Sequence, residues 1–165
     1  MFTKRLTPNV GVASVSSPLE VGANRAPQAA LDLTRVIANA GCRVLQLGAI
    51  GSPEQAFAAG RKAVEGHVDV MAFAPTSWFE DYLVLDFLEE CQVPILFWPL
   101  PGMETGALCG TQQITCYLKQ LEHPYSSVFG TIEDTACLQQ ATRFLRAAAL
   151  KTCLRRARIG MAGHR

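Results

Sequence analysis

The run Ile95-Leu96-Phe97-Trp98-Pro99-Leu100 constrains this chain more than any other stretch. Broken only by Pro99, it leaves no polar face for water and predicts a strand buried on both sides. Pro94 opens it, and Pro99 and Pro101 end it, because proline lacks the N–H that a central strand must donate. Such a strand belongs to a parallel sheet covered by helices. A loop follows with glycines at Gly102, Gly106 and Gly110, carrying Glu104, Thr105, Thr111 and Gln112 ahead of an apolar-periodic helix. Glycine allows sharp bends and close approach to a ligand, and a helix start offers free N–H donors. Open parallel sheets bind ligands at turns of this kind, beyond the carboxyl ends of the strands.

The rest of the chain supplies the partners of that strand. Strands are expected over 10–15, 42–49, 68–74, 93–100 and 125–132. Between them lie helical patterns. Ala26, Ala29, Ala30, Leu33, Val36 and Ile37 repeat at helical spacing up to Gly41. Ser52-Pro53-Glu54-Gln55 combines an N-cap, a first-turn proline and a capping-box glutamine. Leu83, Val84, Phe87 and Leu88 mark a third helix, and Leu108, Ile114, Leu118 and Leu121 a fourth. The last, over about 133–158, starts at Glu133-Asp134 and ends among Lys151, Arg155, Arg156 and Arg158, charges that suit the helix dipole at both ends. Five alternations of strand and helix with short links predict a three-layer α/β/α fold with right-handed crossovers. Its five-stranded parallel sheet takes the flavodoxin-like order 2-1-3-4-5. Residues 1–157 form that domain, and 158–165 read as the start of a strand leading into an absent second domain.

With 165 residues the chain fits one domain, large enough for a proper core. A net charge of +1 gives no overall field toward nucleic acid or an anionic membrane. No apolar run reaches the roughly 20 residues that a membrane span needs, and the amino terminus has no apolar stretch of the secretory kind. Six cysteines, none in a C-x-x-C pair, are expected to be reduced and mostly buried in a cytoplasmic protein. His67, His123 and His164 have no ligand at metal-binding spacing and read as exposed loop histidines. The first strand-to-helix turn, Ser16-Ser17-Pro18-Leu19-Glu20-Val21-Gly22, places an acid where a phosphate would sit, and no G-x-x-x-x-G-K-[ST] occurs. NAD, ATP and FMN are disfavoured, and with them a flavodoxin-like electron carrier. From Thr135 onward there is no acid, so the tail is basic; dipole compensation and packing on a missing neighbour account for it more simply than nucleic acid does.

Two turns carry the remaining chemistry. Trp78-Phe79-Glu80-Asp81, after the third strand, could stack on a sugar ring and bond its hydroxyls; the plainer reading has the acids favouring a helix start and the aromatics capping the core. Glu104-Thr105 and Thr111-Gln112-Gln113 suit a polyhydroxylated ligand better than a phosphate, with helix capping as the alternative.

The succession TSWFEDYLVLDFLEE, VPILFWPLPGMETGALCGTQQITCYLKQL and LRAAALKTCLRRARIGMAGHR resembles the amino-terminal domain of the L-fucose isomerase/L-arabinose isomerase superfamily. The resemblance runs from Val10 onward and is most specific in PGMETGALCGTQ and RIGMAGHR. It implies an aldose–ketose isomerase that uses a divalent metal, usually Mn2+, held by a glutamate, an aspartate and a histidine of later domains. This chain would bind no metal and be inactive alone. It would contribute sugar recognition and subunit packing within a homo-oligomer, through Trp78, Glu104, Thr105 and Gln112, with Arg25 matching a basic residue at the start of the first helix. Where some fucose-type members carry an arginine in the first strand, this chain has Ala13, which points to a different sugar or sugar derivative. The reading needs the turns at Trp78 and Glu104 open to a ligand. A stand-alone sugar-binding or assembly module on the same scaffold is the alternative.

Overall fold

The computed structural model describes residues 6–158 together with Gly160 and Gly163. The strand expected over 158–165 therefore lies largely outside the described residues. Five strands, β1 (Asn9–Val15), β2 (Arg43–Ile50), β3 (Val70–Pro75), β4 (Ile95–Phe97) and β5 (Tyr125–Ser127), alternate with five helices. These are α1 (Ala26–Asn39), α2 (Pro53–Glu65), α3 (Tyr82–Glu90), α4 (Ala107–Gln120) and α5 (Thr135–Arg156). All pairings are parallel, as the alternation predicts, and the order is β2-β1-β3-β4-β5, the flavodoxin-like order expected above.

Strand alternation divides the core into two layers. Ala13, Val15, Met71, Phe73, Ile95 and Phe97 face one way and pack with α2, α3 and α4. Val10, Val12, Val70, Ala72, Leu96 and Trp98 face the other way, against α1 and α5. The central strand β3 is buried along its whole length, whereas the edge strand β2 is largely half-buried. Each fully buried large side chain contributes about 1.5–3 kcal/mol relative to exposure, and Phe73 ties its layer together by meeting Phe87 edge-on and stacking on Phe97.

Several expectations change at element ends. Regular pairing in β4 stops at Phe97, short of Leu100, although Trp98 and Leu100 still donate to the carbonyls of Phe73 and Pro75 at 2.8 and 3.0 Å. Pro99, between them, has no N–H to give. β5 likewise stops at Ser127 rather than residue 132. Helix α4 starts at Ala107, so Gly110, Thr111 and Gln112 are helical and not in the loop. The absence of a side chain at Gly110 lets this first turn lie directly on the Phe79 ring. Leu108 and Leu121, expected on the core stripe, are exposed.

The cysteines also differ from expectation. All six are free, but only Cys42, Cys91 and Cys137 are buried; Cys109, Cys116 and Cys153 are exposed on helices. His67 is exposed as expected. His123 is not: its ring is half-buried, with Nε2 at 2.8 Å from the Val93 carbonyl oxygen. His164 lies outside the described residues. Among the described residues no helix is long and apolar enough to cross a membrane.

Candidate functional site

At the carboxyl end of the sheet the turns after β1, β3 and β4 lock together. The Ser17 N–H donates to the Trp78 carbonyl at 3.0 Å, and its hydroxyl donates to Glu80 Oε1 at 3.2 Å. The Trp78 N–H in turn donates to the Thr105 carbonyl. Two glycines make this approach possible. Gly22 has φ +98°, and a Cβ there would stand 2.3 Å from the Thr76 carbonyl oxygen. Gly106 has φ +65° and rests on the Trp78 side chain. Both conformations are strained for residues other than glycine.

The five residues singled out from the sequence are only partly brought together. Trp78 is half-buried, and its indole Nε1 donates to Gln113 Oε1 at 3.2 Å; Gln113 Nε2 donates to Asp81 Oδ2 at 2.7 Å. Gln112, one position earlier on α4, is exposed and takes no part in that chain of bonds. Thr105 is buried and structural: its hydroxyl donates to the Gly102 carbonyl at 2.8 Å and accepts from the Ala107 N–H at 3.4 Å. That is the capping role weighed above, although the residue at the cap position itself is Gly106. Glu104 points into solvent. Arg25, exposed at the start of α1, reaches across to the loop after β4, where both terminal nitrogens donate to the Pro101 carbonyl at 3.4 and 3.5 Å. Phe79 is wholly buried in the core, so the plainer reading of that aromatic holds.

The turns at Trp78 and Glu104 are packed against each other, so the opening expected between them is not found; the hollows nearest to them lie on the far flank of the turn after β4. Two hollows share Leu100 and Pro101. One, of about 320 Å³, is walled by Gly102, Gly106, Leu108, Phe129 and the exposed thiol of Cys109, and is apolar. The other, of about 240 Å³, is lined by Arg25, Asp32, Thr131 and Glu133 together with Ile132, and mixes polar with apolar surface. Asp32 is held there by Gln28 Nε2, at 2.9 Å, and Arg35, at 3.2 Å. Glu133 stands at the entry to α5, beside Asp134, whose carboxylate caps that helix by accepting from the Ala136 and Cys137 N–H groups. The Cys137 and Ala136 N–H groups hold the Asp134 carboxyl below the usual carboxylate range.

Sequence reasoning missed Asp32, Thr131 and Glu133 as a group with Arg25. Glu133 was legible only as a helix-start acid, and Asp32 only as one exposed position of an amphipathic helix. Their meeting depends on β5 lying at the far edge of the sheet while α5 returns beside α1. The chain matches no protein-family model, and no curated protein is significantly similar to it.

Proposed function

We propose that this chain is the sugar-recognition domain of an aldose–ketose isomerase of the L-fucose/L-arabinose isomerase type, acting on a neutral polyol and packing in a homo-oligomer. The observation that supports it is the cluster of polar side chains in the hollow beside the Pro101 turn. Arg25 supplies donors, Asp32 and Glu133 supply acceptors, and Thr131 can do both. A polyol needs that mixture, because every hydroxyl both donates and accepts. The apolar hollow across Leu100 and Pro101 gives a wall for the C–H face of a sugar or for an apolar substituent.

Manganese supplies the polarisation of sugar oxygens in such isomerases. Among the described residues no three His, Cys, Asp or Glu side chains converge to hold a metal ion. The residues present do not fit that ion, and no step is assigned to it in this chain. The role left to Arg25, Asp32 and Glu133 is to bind and orient.

The test uses isothermal titration calorimetry and turnover together. Aldopentoses and 6-deoxyhexoses should give a saturable binding heat with the wild type but not with Arg25→Ala. Aldose–ketose exchange with manganese should be absent for this chain alone. Robust turnover by the isolated chain, or no response to any sugar, would overturn the reading.

A further inference from the structure

The near-zero net charge conceals a division of charge between opposite faces of the molecule. Helix α5 carries Arg143, Arg146, Lys151, Arg155 and Arg156 and no acid. Arg156 is engaged, with Nη1 at 3.2 Å from Asp69 Oδ1. The other four are exposed and form no ion pair among the described residues. In the middle of this basic face stand Leu150, 51% exposed, and Leu154, 65% exposed. One turn apart, they lie side by side on the helix surface.

Across the sheet, α3 carries Asp86, Glu89 and Glu90 and no base. Glu90 is paired with Arg61 at 3.0 Å; Asp86 and Glu89 form no ion pair among the described residues. Between α3 and the end of α4 lies a hollow of about 340 Å³, lined by Leu85, Leu88, Glu89, Gln92, Leu121 and His123. Leu121 is 63% exposed at its rim. Glu122, also exposed, follows it.

We propose that the chain associates with a second copy of itself by seating the Leu150–Leu154 face of α5 in the acidic-rimmed hollow between α3 and α4. Both surfaces carry exposed leucine, Leu150 and Leu154 on one and Leu121 on the other, beside charges of opposite sign. That is the layout of an apolar interface core with a complementary polar rim. The occupant is argued from this match. A nucleic acid would use the basic side chains but leave Leu150 and Leu154 without partners. An anionic membrane would leave the α3–α4 hollow unexplained. Because α5 and α3 cover opposite faces of one sheet, the contact is heterologous, and successive copies stack head to tail into a ring or an open chain. The inference names the surfaces behind the self-association proposed above and does not depend on sugar recognition, so either can fail without the other.

The experiment is sedimentation velocity across a concentration series, with two charge-reversed variants that keep Arg156 in place. Arg146→Glu with Lys151→Glu reverses the basic rim on both sides of the leucines; Glu89→Lys with Glu122→Lys reverses the acidic rim. The wild type should associate, less so as salt rises. Each variant should weaken association at least about tenfold, with an unchanged far-ultraviolet spectrum. An equimolar mixture of the two should associate again, since every basic face then finds an acidic one; a merely misfolded variant would not be rescued. A monomeric wild type, undiminished association in either variant, or a mixture that stays monomeric would overturn the proposal. So would a monomer that binds single-stranded RNA or phosphatidylserine vesicles through Arg146 and Lys151.

Discussion

Gly22 and Gly106 hold the carboxyl-end turns against each other, and both are glycine for a local steric reason. At Gly22 a methyl group would collide with the Thr76 carbonyl, and the positive φ adds backbone strain. Gly22→Ala should therefore lower stability by at least about 2 kcal/mol in urea unfolding; Gly41→Ala, where nothing lies within 4 Å, should cost less despite its φ of +86°. The glutamines on α4 make the same point about single positions. Gln113 bridges Trp78 and Asp81, whereas Gln112 is exposed outside that bridge. Gln113→Ala should cost about 1 kcal/mol, with Gln112→Ala inside about 0.5 kcal/mol. The sequence pointed to this pair but chose Gln112. On a helix neighbouring positions lie about 100° apart, and the phase is fixed only once the helix is known to begin at Ala107.

The start of α2 was the most legible of the helix ends, because its cap is a contact between residues three apart. Ser52 accepts from the Gln55 N–H at 3.4 Å, and Gln55 Oε1 returns a bond from the Gly51 N–H at 2.8 Å, a close variant of the capping box. Ser52→Ala should lower the thermal midpoint by the equivalent of about 1 kcal/mol, and Ser52→Gly by only a few tenths. The turn after α4 was less legible, since His123 gives no sign of burial in the sequence. Burial, more than the Val93 carbonyl, sets its pKa, and holds it below the ordinary value of 6.5. Folding thus favours the neutral ring. The unfolded chain takes up a proton first as pH falls, so this contribution is complete above about pH 6.5 and is lost as pH drops through the folded-state value. Urea midpoints measured from pH 8 to 5 should decline less steeply for His123→Gln than for the wild type.

At the scale of the whole molecule, burial of thiols in the sheet layers gives an alkaline counterpart. Desolvation pushes Cys91 up from 9.0 to about 11, against a smaller opposing pull from Arg156. The folded state keeps the proton that the unfolded chain gives up near pH 9, so this stability is full below that pH and is lost as pH rises toward 11. Cys91→Ala should flatten the fall in urea midpoint between pH 9 and 11, whatever its effect at neutral pH. The sequence by itself determined the α/β class and the parallel sheet. Those follow from apolar periodicity and short links, which are properties of neighbouring residues. Only the tertiary structure decided that Arg25, Asp32 and Glu133 line one hollow and that the Trp78 and Thr105 turns close on each other. It alone set the basic and acidic helices on opposite faces of the sheet. Such meetings join residues far apart in the chain, and no local pattern records which distant strand or helix will lie beside them.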